Sequence, residues 1–395
     1  MPSLLLVAIA ALLTAVRPSV VPQTPAAQPA VERGIWVRLK GEEQPSFFPW
    51  ASEVTVNRQL RRLRDAEGGE LTFAPGTYSV LRGFLVPQVP DLTISGSPGT
   101  ELVFKDEPRT PLTLDVVESG ARTIRVDRTD DLRVGLEYQV YAADLDKTRV
   151  LEFQVESVEG DTIHLAEPAK LLAHYESIPA GSRVLLTCNF FKVLGCQRLV
   201  IQGLSMDGRE RGDVRGHTLY GGVYASGLLQ HARPKIHGLT VRDCTFRGLA
   251  GRGVAVYGYD EVAIENCEFH DITAQAIEID HFSSARVAGN RIDGAEVGVM
   301  LNDCFDTLVE DNELSNCLTA VRFLRLFGED WVNTGNVVHN NRIGPGNRRG
   351  VVFEDEIADG LSGNRVVANH FIGQGPKSRI VDPGANKVEG NTHEP

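Results

Sequence analysis

Several side chains that can transfer protons recur at nearly equal intervals in the second half of this 395-residue chain. Tyr257, Asp280 and Asn302 follow one another in three successive segments, with Glu278 just before Asp280 and Arg322 one segment further on. A phenol and a carboxyl group can act as general acid and base, and a guanidinium can neutralise a carboxylate. These groups could abstract a proton next to a carboxylate, provided that the fold places the three segments side by side.

A repeat in the sequence predicts that placement. Its frame is an apolar residue, two variable positions, a Cys or Asn, one variable position and a second apolar residue. The central residues of its copies are Cys244, Cys267, Asn290, Asn312, Asn341, Asn369 and, in a partial copy, Asn391. A related segment lies at residues 201–206. Each repeat is too short and too rich in Gly to bury its own apolar face, so neighbouring repeats must stack.

Each repeat has the pattern of one coil of a single-stranded parallel β-helix. Short β-branched runs such as residues 253–257 and 262–264 alternate with Gly, Asn and Asp. Leucine-rich, ankyrin and tetratricopeptide repeats need a leucine consensus or a helical periodicity that the chain lacks. The stacked Asn residues are predicted to adopt left-handed backbone at a bend and to pair with the copy one coil away, roughly 4.8 Å off. In the same column, Cys244 and Cys267 are predicted to be buried free thiols.

Stacking in register also separates inward from outward side chains, because they alternate along a strand. Val254 and Val256 and their counterparts point inward. Two outward columns result, headed by Tyr224 and Ser226: Ala255, Glu278, Met300 and Arg322 in the first, and Tyr257, Asp280, Asn302 and Leu324 in the second. This surface predicts a groove for a polymer, and the alternative is a solvated face with weak Glu–Arg pairs.

Chemistry suggests roles in this groove. His281 follows the strand directly and is the predicted base, Tyr257 is the predicted acid, and Asp280 would orient one of them. Arg322 would neutralise a carboxylate of the polymer. The other predicted substrate-binding residues are Glu278, Asn302, Tyr224 and His217.

The N-terminal half is predicted to contain an export signal, a helical cap and the first coils of the solenoid. Residues 1–22 have the apolar run of a signal peptide, and residues 23–50 are rich in Pro and Ala and are predicted to be a flexible spacer. Residues 51–107 are assigned to a helical cap, predicted over 56–67, and to the first coils. Residues 108–190 lack the repeat and are assigned to a small inserted β module, and residues 191–395 to the parallel β-helix.

Composition limits the partners. The formal net charge is -12 and no basic block occurs, so we expect no nucleic-acid partner, and beyond the signal we expect no membrane span. An acidic protein needs a local Arg cluster or a bridging cation to bind an acidic polysaccharide, so a divalent cation such as calcium is the candidate cofactor. The metal ligands are unknown. The six cysteines show no zinc spacing, so the sequence does not predict a zinc site. We expect a monomer that is secreted or lies in the periplasm or cell envelope.

The chain resembles the pectate-lyase-like superfamily of right-handed parallel β-helix proteins. The resemblance covers most of the chain after residue 51 and includes the Gly-Gly, strand, Pro-Gly-Thr-Tyr segment at residues 68–78. It implies an all-β fold with a single-stranded right-handed parallel β-helix, and work on a long carbohydrate chain.

A shorter motif resembles the alginate (mannuronan) C5-epimerases. Tyr257-Gly-Tyr-Asp260 is similar to the Tyr-Gly-Phe-Asp segment of that family, which implies catalytic roles for Tyr257 and Asp260 and, on the next coil, for Asp280. The Pro-His pair that follows in the family is Glu-Val here, so His281 or His217 would have to supply the imidazole.

Three function classes therefore remain open. A lyase or epimerase acting on a uronate polysaccharide is the preferred hypothesis. A glycoside hydrolase would use two carboxyl groups drawn from Asp260, Asp280 and Glu278, although the polygalacturonase signatures and the Arg-x-Pro-x-x-Arg signature of pectate lyases are absent. A non-catalytic carbohydrate-binding or envelope protein would use the solenoid as a rigid rod.

Overall fold

Parallel pairing between successive repeats dominates the structure, which is a computed structural model. It describes residues 32–105, 112–129, 132, 137–141, 149–171, 176–186, 188–209, 221–227, 236–281, 283–325, 333–355, 361–375, 379–382 and 386–395. The predicted signal segment, the first residues of the predicted spacer and His217 lie outside this part of the chain.

One long side of the solenoid is a 12-stranded sheet. Its strands are parallel except at the N-terminal edge, where two strands pair antiparallel. In order they are Ser46–Pro49, Gly34–Leu39, Gly69–Phe73, Leu92–Gly96, Leu199–Gln202, His237–Arg242, Asp260–Glu265, Ala285–Ala288, Leu308–Glu310, Val337–His339, Arg365–Val367 and Lys387–Glu389.

The remaining coil strands form a branched 16-stranded sheet. Its first row is Gly76–Val80, Thr100–Phe104, Ser205–Asp207, Thr245–Arg247, Glu268–Asp280, Arg291–Asn302, Glu313–Arg325, Arg342–Ile343, His370–Ile372 and Thr392–Glu394. Its second row, here called the site row, is Phe84–Val86, Asn189–Leu194, Gly221–Ser226, Val254–Tyr257, the C-terminal halves of the three long strands, Arg349–Asp355 and Ile380–Val381. Each coil thus adds one strand to each of three faces, as a parallel β-helix requires.

Inward apolar side chains from all three faces form one continuous core. Side chains stack on the same side chain of the next coil: the ring centroids of Phe246 and Phe269 are 4.8 Å apart, and those of Phe323 and Phe353 are 4.4 Å apart. These distances match the spacing of hydrogen-bonded strands, so the core repeats with the backbone.

A buried amide ladder runs through the C-terminal coils, as predicted. The side-chain Nδ2 of each Asn donates to the Oδ1 of the next over 2.9 to 3.0 Å, from Asn290 through Asn312, Asn341 and Asn369 to Asn391. The same Oδ1 atoms accept the backbone N–H of the preceding coil, as in Asn312 N to Asn341 Oδ1 at 3.0 Å. The ladder therefore satisfies polar groups inside the core that no water reaches.

The prediction that the ladder Asn residues themselves adopt left-handed backbone is wrong. The left-handed residue lies one position earlier in each coil, with φ between 52° and 66° along the series Gly203, Asp243, Asn266, Gly289, Asp311, Asn340, Ala368 and Gly390. The ladder residue must direct its amide into the core, while the residue before it makes the bend. Ala368 is the exception to a Gly, Asp or Asn series that tolerates this conformation.

A second amide ladder lies five positions before the first. Asn336 Nδ2 donates to Asn364 Oδ1, and Asn364 Nδ2 donates to Asn386 Oδ1, both over 3.0 Å. Thr307 N donates to Asn336 Oδ1 over 2.9 Å and begins this column. Amide pairs therefore lie at both ends of the strands of the 12-stranded sheet between the two ladders, such as Val337–His339 and Arg365–Val367.

The spacer prediction is wrong over residues 34–49. Gly34–Leu39 and Ser46–Pro49 are strands, because Ile35 and Val37 reach the core and add two antiparallel strands to the edge of the 12-stranded sheet. The expected helix is present at Glu53–Asp65 and begins at Ser52, whose Oγ accepts from Val54 N over 3.3 Å. It buries Val56, Leu60 and Leu63, and its role as a cap stays a prediction.

The segment without repeats contains an antiparallel sheet of six strands. In order they are Thr123–Arg125, Thr162–Leu165, Arg149–Glu159, Glu137–Tyr141, Arg183–Leu186 and Leu112–Thr113, and a separate pair joins Val117–Glu118 to Ser177–Ile178. Its buried side chains form a cluster apart from the solenoid core. The strands lie within the predicted 108–190 segment.

Replacing a ladder residue should cost much more stability than replacing its neighbour. Asn341→Ala leaves the backbone N–H and the side-chain Nδ2 of Asn312 without their acceptor in the core, so we expect the free energy of unfolding to fall by about 3 kcal/mol. Asn340→Gly, at the exposed left-handed position, should be nearly neutral. Urea unfolding followed by circular dichroism compares them, and equal losses would contradict a special role of the ladder.

Ala368 offers a stabilising change. Ala368→Gly removes the steric penalty of left-handed backbone and should raise the free energy of unfolding by about 1 kcal/mol. Ala263→Gly, in the strand Asp260–Glu265, is the matched control and should lower it by about as much. A fall in the thermal midpoint with both variants would show that Ala368 is not strained.

Candidate active site

The strand register confirms the predicted columns. On the site row Tyr224 lies beside Ala255, Ala255 beside Glu278, Glu278 beside Met300, and Met300 beside Arg322. In the second column Ser226, Tyr257, Asp280, Asn302 and Leu324 pair in the same way. Side chains far apart in sequence are therefore neighbours on one surface.

Arg252 belongs to a third column of side chains, which the sequence analysis did not predict. It lies immediately before the strand Val254–Tyr257, beside Gln275, and its Nε donates to Gln275 Oε1 over 3.0 Å. Its guanidinium makes an ion pair with Glu278 and lies 5.8 Å from the centroid of the Tyr257 ring. The only signal was a long cation between two glycines, Gly251 and Gly253, directly before a strand.

Tyr257 and Glu278 form the first acid pair of the cluster. The Tyr257 hydroxyl donates to Glu278 Oε2 over 3.1 Å, and Asn302 Nδ2 lies 3.3 Å from Glu278 Oε1. Glu278 is only 2% exposed, which contradicts our expectation of an open polar surface, because the neighbouring polar side chains cover it. Tyr257 itself is partly exposed, so a buried carboxyl group orients a reachable hydroxyl.

Asp280 and His281 form the second pair. Asp280 Oδ1 lies 2.8 Å from His281 Nδ1, and Asp280 Oδ2 accepts from Asn302 Nδ2 over 3.3 Å. Asp280 is 3% exposed, whereas 24% of the His281 side chain is exposed. The ring centroids of His281 and Tyr257 are 6.0 Å apart. A buried carboxylate thus again fixes a reachable proton-transfer group.

His281 occupies a position that favours glycine. Its φ is 65°, and Gly258, one coil earlier at the same turn, has the same φ. Asp303, one coil later, also has left-handed backbone. Strained backbone of this kind clusters at functional sites, and here it turns the imidazole back toward the end of the strand where Tyr257 and Asp280 lie.

Burial and charge shift the protonation equilibria of the cluster. Burial, followed by the negative charge of Glu278, raises the pKa of Tyr257 well above its usual value. Burial also raises the pKa of Glu278, although Arg252 opposes this. Burial alone would lower the pKa of His281, but the contact with Asp280 and nearby negative charges outweigh it and raise the pKa. Tyr257 is therefore a proton donor at neutral pH, and His281 becomes a base as the pH rises.

Arg322 lies two coils beyond Glu278. Among the described residues, it makes no hydrogen bond or ion pair with the cluster of Tyr257, Glu278, Asp280 and His281. It makes an ion pair with Glu354, and Glu354 also pairs with Arg349 Nη1 over 2.7 Å. Met300 and Leu324 separate the two polar groups and pack with Val297. At the opposite end the tilted rings of Tyr224 and Tyr257 lie together, with their centroids 5.4 Å apart.

The structure does not bring Asp260 into this cluster. Asp260 begins a strand of the 12-stranded sheet, beyond the Gly258 turn, and contacts Ser284 and His237, the latter with 3.5 Å between Asp260 Oδ2 and His237 Nδ1. The Tyr-Gly-Tyr-Asp motif therefore spans two faces of the solenoid. The catalytic role that the resemblance implies for Asp260 has no geometric support. Its neighbour Tyr259 is buried in the core.

A family model agrees with this architecture. Residues 203–393 match the family described as "Right handed beta helix region". The protein is a right-handed parallel β-helix protein. The match includes all the repeats with a ladder residue and both polar clusters of the site row. No curated protein sequence matches the chain.

Solved structures similar to this β-helix have low sequence identity. An exopolygalacturonase from Thermotoga maritima is 12% identical with a TM-score of 0.42, covering 87% of this chain and 88% of that chain. The mannuronan C-5 epimerase AlgE6 A-module of Azotobacter vinelandii is 11% identical with a TM-score of 0.33, covering 87% and 95%. A tailspike mutant of E. coli bacteriophage HK620 is 10% identical with a TM-score of 0.45, covering 83% and 54%. Likenesses at this level identify no reaction for the β-helix.

Within the described ranges, no group of three or more His, Cys, Asp or Glu side chains is arranged to hold a metal ion. The six cysteines are buried and free, as predicted for Cys244 and Cys267. No helix in the described part of the chain is long and apolar enough to cross a membrane.

The Asp280–His281 contact predicts a titration that can be measured directly. Selective labelling of histidine and NMR should give His281 a pKa above 6.5, and Asp280→Asn should lower it, because burial then outweighs the remaining negative charges. His393, whose pKa is lowered by burial and by Arg379 and His370, should not change. The contact stabilises the fold fully below pH 6.5, the unfolded value, and the gain is lost as the pH rises through the folded pKa. An unchanged His281 titration in Asp280→Asn would show that the two groups are not coupled.

Proposed function

We propose that the β-helix is an exported enzyme, of lyase or C5-epimerase type, that acts on a uronate-containing polysaccharide. One observation carries the proposal: the rings of His281 and Tyr257 are both partly exposed to solvent, and their centroids are 6.0 Å apart. A buried carboxyl group contacts each of them, Asp280 for His281 and Glu278 for Tyr257. General acid and base groups facing one sugar ring need this arrangement. Export and an extracellular or periplasmic location rest on the apolar run near the N-terminus.

The chemistry follows from the protonation states. Neutral His281 removes the proton from C5, and the electron pair of the C5–H bond moves toward the carboxylate, which becomes a dianion. Arg252 supplies positive charge within the cluster where this charge develops. In the lyase reaction the C4–O bond then breaks, a C4–C5 double bond forms, and Tyr257 protonates the leaving oxygen. In the epimerase reaction Tyr257 donates its proton to C5 from the opposite face, and the electron pair returns from the carboxylate to form the new C5–H bond.

Tyr257 suits the acid role better than the base role. Its raised pKa keeps the hydroxyl protonated at neutral pH. The hydroxyl donates to Glu278 Oε2 over 3.1 Å and would rotate about its C–O bond to donate to the leaving oxygen instead. His281 suits the base role above its raised pKa. The predicted rate therefore increases with pH until the imidazole is neutral.

A glycoside hydrolase is the second candidate. Glu278 Oε1 and Asp280 Oδ2 both lie 3.3 Å from Asn302 Nδ2, and the pKa of Glu278 is raised by burial, as expected for a pair of catalytic carboxyl groups. Their exposures of 2% and 3% oppose direct contact with a glycosidic bond. We therefore give both groups a positioning role.

A substrate panel separates the function classes. Purified protein with alginate, pectate and glycosaminoglycans should produce unsaturated sugars, detected by ultraviolet absorbance, or epimerised sugars, detected by NMR. Release of reducing ends without either signal would favour a hydrolase. Binding without any product would favour a carbohydrate-binding or envelope protein.

Substitutions test the residue roles on whichever uronate is converted. His281→Gln and Tyr257→Phe should each lower kcat by about 10²-fold or more, because each removes one proton-transfer step. His270→Gln is the matched control: it lies on the same strand as Asp280 but in the other row, where it faces Glu268, and should keep full activity. Near-normal kcat in either site variant would remove that residue from the mechanism.

A further inference from the structure

Arg322, Arg349 and Glu354 form a local excess of positive charge on an acidic protein. Both guanidinium groups pair with the same carboxylate, Arg349 over 2.7 Å. Two cations therefore share one anion on a surface that is partly open, with 25% of the Arg322 side chain and 38% of the Arg349 side chain exposed. The group lies on the site row, because Arg322 is beside Val352 and Leu324 is beside Glu354.

Other bridging arginines of the described solenoid have the opposite balance. Arg286 lies between Glu265 and Glu310, and Arg247 lies between Glu101 and Asp207. In these groups two carboxylates surround one guanidinium, as expected for a chain with a net charge of -12. Two cations also share one carboxylate at Asp91, with Lys40 and Arg198, and at Glu389, with Arg365 and Lys387. Those two groups lie along the 12-stranded sheet, whereas Arg322 and Arg349 lie on the site row.

Arg322 also retains unused hydrogen-bonding capacity. Its Nε is buried and has no hydrogen-bond partner in the structure, and the hydroxyl of Thr319, which lies beside Arg349 in the next column, is likewise buried and unpaired. Buried polar groups normally find partners. These two donors are buried, and the partly exposed guanidinium groups beside them are the part of this place that a further acceptor can reach.

We propose that Arg322 and Arg349 form a second subsite, which binds the carboxylate of another uronate unit of the polymer whose reacting unit lies at His281 and Tyr257. The proposal rests on the proposed function. Register places this subsite two coils from Glu278, roughly 10 Å along the solenoid axis at the spacing of paired strands. The polymer then runs along the axis, across successive coils, and passes the apolar step made by Met300 and Leu324.

The test uses oligogalacturonate and oligomannuronate of increasing length, with calorimetry on the full chain carrying His281→Gln so that binding is measured without turnover. Adding Arg349→Gln should weaken binding of the longer oligomers by about 10-fold and leave the shortest ones unchanged, because a bidentate guanidinium–carboxylate contact is lost. Oligomers with reduced carboxyl groups should show no difference. Arg365→Gln, an exposed arginine of the 12-stranded sheet paired with Glu389, is the control.

A variant that should strengthen binding provides a second test. Glu354→Gln releases both guanidinium groups from their shared carboxylate, so longer acidic oligomers should bind more tightly. Circular dichroism and the thermal midpoint establish that each variant is folded. Equal affinity of Arg349→Gln and its parent for long oligomers, or weaker binding by Glu354→Gln, would overturn the subsite.

The outcome separates the subsite from the reaction. Length-dependent binding that needs Arg349, in a wild-type protein that converts no uronate, would support the subsite and reject the lyase or epimerase. Turnover of uronates with a KM that Arg349→Gln does not change at any length would support the reaction and reject the subsite.

Discussion

Exact stacking of one coil on the next, held by the buried Asn ladder, is the constraint on which the structure depends. Each ladder amide joins two coils twice, once through its neighbour's side chain and once through a backbone N–H. A shift of one residue would turn the inward side of every strand outward and leave these amides unpaired in the core. Register is therefore fixed at the bend and transmitted to the site row, where Tyr257, Asp280 and Asn302 become neighbours.

Much of this arrangement could be predicted from the sequence, because the repeat is a local pattern. The frame around Asn290, Asn312 and Asn341 predicted the ladder and the columns. The left-handed residue was misplaced by one position, since Asn is common both at bends and in ladders and the pattern does not say which of two adjacent polar residues turns inward. The second ladder also has a sequence pattern, because Asn336 and Asn364 lie five positions before ladder residues.

The site was harder to predict, because its members depend on burial. Arg252 precedes the strand that defines the columns, so period-2 alternation did not include it. Glu278 and Asp280 were placed correctly, but sequence could not show that neighbouring side chains close over them. Asp260 was assigned from a short motif whose two ends the Gly258 turn sends to different faces. Short motifs are least reliable where a turn interrupts them, since adjacent residues then diverge in space.

The burial of Glu278 and Asp280 is more informative about mechanism than their identity. Two carboxyl groups and a guanidinium removed from water are costly unless their geometry is useful, and a solenoid surface normally exposes such side chains. A hydrolase needs its carboxyl groups in contact with the sugar, whereas here the reachable groups are the imidazole and the phenol in front of them. The carboxyl groups instead fix the orientation of His281 and Tyr257. Burial and then the charge of Glu278 raise the pKa of Tyr257, and the contact with Asp280 raises the pKa of His281 against the effect of burial. Proton transfer at a carbon beside a carboxylate uses such a pair, which is why we propose a lyase or epimerase rather than a hydrolase.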